Sequence, residues 1–226
     1  MKQPFWKKWY SYLDDVLIEQ TESLYNEDLY VLLCKGRYQL CTNNAIYSYA
    51  DKYENFKIAF DKLRIEEHDI DEVLILGMGM ASIPYMLEKI YDRDYHYTAV
   101  EIDEVVCGLA SKYVLNDLSS SVDIITTDAY HYVKMDKKKY DLVAMDVFVD
   151  VEVPNKFMTT PFLHELKNKV NDKGILLYNI LSDTKKDLAN SNVLLEKCKT
   201  VFPGVGYYEI KGNRIIYWVN DGGASL

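Results

Sequence analysis

The stretch LILGMGMASIPYML, residues 74–87, interrupts an aliphatic run with Gly77 and Gly79 and then resumes on helical spacing. Glycine lets a backbone turn sharply and lets another group approach where a Cβ would stand in the way. A helix starting near Ser82 would present free N–H groups at its first turn. Strand, glycine turn and helix in that order read as a turn that cradles a ligand. Gly-x-Gly alone is a weak sign, and Ser82 stands where the dinucleotide fingerprint has its third glycine.

Working outward, short aliphatic strands are predicted at 73–76, 97–100, 122–126, 142–145 and 174–178, with helices at 83–90, 105–115, 162–170 and 188–198. Such alternation implies βαβ units and a mostly parallel sheet. Near the end, VGYYEI and RIIYWV flank Lys211-Gly212-Asn213, which predicts an antiparallel hairpin at the sheet edge. The fold class is α/β and Rossmann-like. Upstream, LYVLLCKGRYQLCTNNAIYSY (29–49) places β-rich runs around Lys35-Gly36-Arg37 and a second turn at Asn43-Asn44, so a small antiparallel sheet precedes the main one. Residues 51–63 put Tyr53, Phe56, Ala59, Phe60 and Leu63 on one helical stripe, read as core. The division expected is an N-terminal β-hairpin region with its linking helix, 1–60, and a nucleoside-binding domain, 61–226.

In open α/β sheets ligands bind beyond the carboxyl ends of the strands. Those ends carry Gly77, Glu101, Asp128 and Asp146. An acid closing an aliphatic strand is costly unless it has a partner or a task. Glu101 is placed to accept hydrogen bonds from both hydroxyls of a ribose. Asp128 can accept from an amino group such as that of adenine, with the Ala129 N–H beside it, or it can simply cap the next helix. Asp146 is read as a base or as a residue that orients an amine, with a plain loop cap as the alternative. Met78 and Ile102 flank the glycines and the ribose acid. Asp150, Glu152, Tyr47, Tyr49, Tyr178 and Asn179 are candidates for the acceptor side.

The chain has 226 residues, 49% of them hydrophobic, enough for one well-buried core with a small appendage. A net charge of −9 argues against a nucleic-acid partner. Cys34, Cys41, Cys107 and Cys198 show no CxxC spacing, and four scattered histidines offer no zinc pattern, so no metal is expected. No apolar run reaches the roughly 20 residues of a membrane helix, and MKQPFWKKWYSYLDD lacks the apolar core of a signal peptide. No membrane partner and a cytoplasmic location are the expectations.

This order of landmarks resembles the class I S-adenosylmethionine-dependent methyltransferases, and within that superfold most resembles the spermidine synthase family. LGMGMAS stands at the family's glycine-rich loop, AVEIDEVVCGLA at its ribose acid, TTDAYHYV at its adenine site and YDLVAMDVFVD at its catalytic aspartate. The resemblance implies a methyltransferase-type seven-stranded sheet and a sulfonium donor, S-adenosylmethionine or its decarboxylated form. It implies Gly77 and Gly79 at the donor loop, Glu101 on ribose, Asp128 at adenine and Asp146 beside the sulfonium. It also implies association, as a dimer, through the N-terminal region. This chain departs from the family pattern at four places. Met80 replaces the acid of the glycine-rich loop, and Asp146-Val147-Phe148-Val149-Asp150 replaces an Asp-Ser-Ser-Asp-Pro run. Tyr53-Glu54-Asn55 stands for Tyr-His-Glu, and Ile46 lies near the family's donor-binding glutamine. Because a dicationic diamine needs carboxylates, these losses favour methyl transfer to a small-molecule acceptor. Aminopropyl transfer to an amine comes second, and a non-catalytic nucleoside-binding protein third.

Overall fold

The computed structural model describes residues 3–149 and 152–222; Asp150, a candidate on the acceptor side, lies outside them. A short helix α1 (Phe5–Tyr10) is followed by β1 (Val16–Thr21), β2 (Leu29–Cys34), β3 (Arg37–Cys41) and β4 (Ile46–Ser48), an antiparallel sheet in the order β1-β2-β3-β4. Lys35 and Gly36 both take positive φ, 49° and 75°, and close a two-residue hairpin with Cys34 opposite Arg37. The anticipated small sheet is present, with β1 added as its fourth strand. Helix α2 (Glu54–Leu63) then buries Phe56, Ala59 and Phe60, the stripe read from the sequence.

The main sheet follows through β5 (Glu72–Leu76), α3 (Ser82–Lys89), β6 (His96–Glu101), α4 (Glu104–Tyr113), β7 (Ser121–Thr126), α5 (Ala129–Met135), β8 (Tyr140–Met145), α6 (Thr160–Lys167), β9 (Val170–Leu181), α7 (Lys185–Val201), β10 (Gly206–Ile210) and β11 (Asn213–Val219). Its order is β10-β11-β9-β8-β5-β6-β7. Strands β5 to β9 pair in parallel, and β9, β11 and β10 in antiparallel fashion. This is the seven-stranded Rossmann-like sheet with a terminal hairpin.

Period-two burial explains why both faces are covered. On β5, Leu74 and Leu76 face one core layer with α5, α6 and α7, while Val73 and Ile75 face the other with α2 and α3. All four are fully buried, as expected of a central parallel strand. The chain builds β6 and β7 to one side of β5, then returns to build β8 and β9 on the other. The strand order therefore reverses between β5 and β8, which is where an open α/β sheet leaves its crevice.

Candidate active site

Gly77 leaves β5 and Asp146 leaves β8, so the two carboxyl ends lie side by side at that crevice. Gly77 has φ +85°, and a Cβ there would sit 2.3 Å from the Asp146 carbonyl oxygen. Gly79, at φ +52°, would bring a Cβ to 3.2 Å from the Tyr47 carbonyl oxygen of the N-terminal sheet. The glycines thus make room for protein backbone: one for the neighbouring strand end, one for the appended sheet. Both also line the cleft described next, where the sequence places a ligand. Ser82, at the third-glycine position, is also structural. Its Oγ pairs with Ser48 Oγ at 2.6 Å and accepts the Tyr49 N–H at 2.9 Å, stapling the two sheets together.

A cleft of about 820 Å³ opens between the strand ends and the N-terminal sheet. Gly77, Gly79, Glu101, Ile102, Asp128, Ala129, Asp146, Tyr47 and Asn179 all line it. Three sequence candidates do not. Met78 packs its side chain into the core with Leu29, Val31 and Leu40. The Tyr178 hydroxyl donates to the Phe157 carbonyl at 3.4 Å, and that of Tyr49 to the Cys34 carbonyl at 3.4 Å. Met80 is buried in the same core layer as Met78 and brings no charge to the loop.

Glu101 is held by backbone. Its Oε2 accepts the Gly79 N–H at 3.1 Å, and its Oε1 accepts those of Ile102 at 2.9 Å and Asp103 at 3.2 Å. Burial raises its carboxyl above the usual range, opposed by these three donors. Next to it, Asp103 caps α4 through Val105 N–H and accepts from Ser23 Oγ at 2.5 Å and Asn26 Nδ2 at 2.9 Å. The Tyr47 hydroxyl donates to Asn26 Oδ1 at 2.9 Å. The β1–β2 loop is thereby tied to Asp103, two residues after Glu101, a link the sequence reading missed. The signal was there in Glu-Ile-Asp-Glu, an N-cap followed by a helix start.

Asp128 does cap α5, its Oδ1 accepting the Tyr130 N–H at 2.8 Å, and its Oδ2 also pairs with Lys156. Burial pushes this carboxyl up, but Lys156 and the Tyr130 N–H together hold it below its ordinary value. Ala129 occupies the first helical position, whose N–H has no acceptor within the helix. Lys156 has no local sequence signal, because it meets Asp128 only when the segment after β8 folds over α5.

Asp146 is half-buried where β8 ends. Its Oδ1 accepts from Asn179 Nδ2 at 2.8 Å and from the Tyr53 hydroxyl at 3.3 Å. Burial raises its carboxyl to about 6; the two donors pull it down and the Glu101 charge pushes it further up. Tyr53, read as core, therefore holds a site acid as well as packing beside Phe56. Asn179 is 1% exposed, and its Oδ1 finds no partner among the described residues. A buried acceptor left open in a cleft fits a ligand N–H or O–H donor. Glu152, the other acceptor-side acid, is paired with Lys186 at the rim.

No group of three or more potential metal ligands occurs among the described residues, and no helix of the described residues is long and apolar enough to cross a membrane.

Comparisons with known proteins bear on the family and the fold. The polyamine aminopropyltransferase of Vibrio vulnificus (strain CMCP6) is 34% identical over 118 residues, 51% of this chain and 39% of that protein. The chain thus spans about two fifths of that relative's length. Among solved structures, a probable spermidine synthase from Corynebacterium glutamicum ATCC 13032 superposes with a TM-score of 0.76 at 18% identity, covering 90% of this chain and 80% of that one. Human methyltransferase-like protein 13, solved in complex with SAH, gives 0.58 at 22% identity over 71% and 76% of the two chains. At such identities these two structures speak for the fold. Residues 64–211, most of the main sheet and the whole line of acidic strand ends, match the spermine/spermidine synthase domain, and the chain belongs to that family.

Proposed function

We propose that this chain transfers an aminopropyl group from decarboxylated S-adenosylmethionine to the nitrogen of a small amine. The observation that carries the reading is Asp146: a half-buried carboxylate raised to about 6, fixed by Asn179 and Tyr53 where the strand order reverses. Family membership and the aminopropyltransferase relative support it. They put aminopropyl transfer ahead of methyl transfer, the reverse of the order favoured from sequence.

The donor supplies a carbon activated by its sulfonium. Glu101 would hold the ribose, with Asp128 and the Ala129 N–H at the adenine. Asn179 Oδ1 and Asp146 would take the two N–H groups of a neutral primary amine, leaving its lone pair free to attack. As the N–C bond forms, the C–S bond breaks and the thioether nucleoside leaves. The nitrogen then carries an extra proton, which Asp146 accepts. A base of pKa near 6 is ionised at neutral pH and ready for that transfer. Positioning supplies most of the remaining acceleration. Methyl transfer stands as the second reading because Met80 leaves the glycine loop without a carboxylate to exclude a carboxylated donor.

The test is turnover. The protein is incubated with either donor and a panel of mono-, di- and polyamines. Methylthioadenosine released only with the decarboxylated donor supports the proposal; S-adenosylhomocysteine released from S-adenosylmethionine overturns it in favour of methylation. Glu101→Ala is expected to weaken donor binding about 10- to 100-fold, the worth of hydrogen bonds to a charged group. Titration calorimetry measures this, with the melting temperature followed alongside because Glu101 also holds three backbone N–H groups. Unchanged affinity would remove Glu101 from the donor site.

A further inference from the structure

Residues 23–26, at the tip of the β1–β2 loop, form a turn that organises itself. The Ser23 N–H donates to the Asn26 carbonyl at 2.8 Å, and Ser23 Oγ accepts the N–H groups of Tyr25 at 3.2 Å and Asn26 at 3.0 Å. The turn aims two donors at one atom: the Ser23 hydroxyl and the Asn26 amide reach Asp103 Oδ2 at 2.5 and 2.9 Å. Asp103 is 3% exposed, and a carboxylate so buried is costly unless donors surround it. Its Oδ1 takes the Val105 N–H at 3.0 Å, and the loop supplies the donors that Oδ2 needs. The Asp103 N–H in turn donates to Glu101 Oε1 at 3.2 Å. One residue thus joins the loop to the acid read as the ribose ligand.

The N-terminal sheet has other anchors. Strand β1 pairs along β2, and Glu19 Oε2 accepts from Lys112 Nζ at 2.7 Å and from the Tyr113 hydroxyl at the far end of α4. What Asp103 holds is a wall of the cleft. Tyr25 and Asn26 line the cleft together with Glu101 and Ile102. Asn26 Oδ1 accepts the hydroxyl of Tyr47, which lines it as well. Tyr25 is 49% exposed, an aromatic surface still open to cover a bound sugar. We propose that Asp103 is a positioning residue for the donor, latching residues 23–26 against α4 so that Tyr25 closes the ribose side of the cleft. A loop left loose would have to be ordered by the nucleoside itself, at the expense of affinity. The inference rests on the donor reading above and adds the β1–β2 loop to the donor site.

Asn26→Ala removes the loop's amide from Asp103 and Tyr47 and leaves the α4 cap and the Glu101 backbone bonds in place. It should weaken methylthioadenosine binding about tenfold in titration calorimetry, the worth of one hydrogen bond to a charged group. The donor KM should rise by the same factor, with kcat at saturating donor and the amine KM within about twofold, because the lost interaction is binding alone. Tyr25→Ala should weaken nucleoside binding with the latch intact. Asp103→Asn still caps α4, since asparagine serves there as well as aspartate, but it sets two amides against each other and should act like Asn26→Ala. The exchange Asp103→Asn/Asn26→Asp restores an amide opposite a carboxylate and should bring affinity back to within about threefold of wild type. A merely structural link would lower the melting temperature without that recovery and without separating KM from kcat, and this result overturns the proposal. Unchanged nucleoside affinity in both single variants overturns the latch and leaves the donor reading standing. A wild-type protein that binds neither methylthioadenosine nor S-adenosylhomocysteine overturns the donor reading and the latch with it.

Discussion

Asp146→Asn should lower kcat/KM about a thousandfold, within the range that a positioned general base supplies, while leaving donor affinity nearly unchanged. The substitution keeps shape, and its amide oxygen can still accept from Asn179 and Tyr53, so a loss of this size would report the missing proton acceptor. The stability effect runs the other way. The folded carboxyl titrates near 6 against 3.8 for the unfolded chain, so the folded state holds the proton more tightly. Stability from this group is therefore full below about pH 4 and is lost as pH rises from 4 to 6. The loss is on the order of 3 kcal/mol at higher pH. Urea melts at pH 4 and pH 8 should show that slope in the wild type and not in Asp146→Asn, which would make the variant relatively more stable at pH 8. The acid limb of the kcat/KM profile should fall near 6 for the same reason. Tyr53→Phe should move it to higher pH, since the Tyr53 hydroxyl lowers the Asp146 carboxyl. A variant retaining more than about a tenth of wild-type turnover, against the hundredfold minimum expected of a base, would leave Asp146 a structural cap.

The parts of this site that were legible in the sequence share a physical origin. A buried parallel strand must be aliphatic, so the residue at which polarity returns marks its carboxyl end; Glu101 and Asp146 are legible that way, while Asp128 follows β7, an exposed edge strand, and is legible from its place before a helix, and all three line the cleft. What was not legible depends on partners distant along the chain. Tyr53 sits on the apolar stripe of α2, and nothing local says that its hydroxyl, alone among that stripe, reaches Asp146. Lys156 reaches Asp128 only through the loop after β8. Strand β1, VLIEQT, is a half-exposed edge with a register shift between Leu17 and Glu19, so it lacks the alternation that betrays a strand. Helix α1 has no inward apolar face to read. The glycines were found correctly and explained incompletely: Gly-x-Gly announces that something comes close, but not that Asp146 is what comes close.

That difference gives the second large effect. Gly77→Ala should destabilise the protein by about 3 kcal/mol, combining the 1–2 kcal/mol of a left-handed non-glycine residue with the 1–3 kcal/mol of forced overlap. Its Cβ would meet a backbone carbonyl at 2.3 Å, and a carbonyl cannot rotate away as a side-chain tip can. Relief requires the β5 and β8 ends to separate, which moves Asp146; a displacement of about 1 Å is enough to remove roughly a hundredfold in rate. Gly79→Ala, with its nearest contact at 3.2 Å, should cost about half as much and act mainly by loosening the N-terminal sheet. Gly108→Ala is the internal control. Gly108 lies within α4 with nothing inside 4 Å of a built Cβ, so alanine there should stabilise by about 1 kcal/mol. Urea denaturation of the three variants, with turnover measured on the folded fraction, tests the order. If Gly79→Ala were the more damaging, the decisive contact would be that between the sheets. If Gly77→Ala kept full stability and lost only donor binding, the glycine would be serving the nucleoside after all, and the close approach of β8 would be incidental to it.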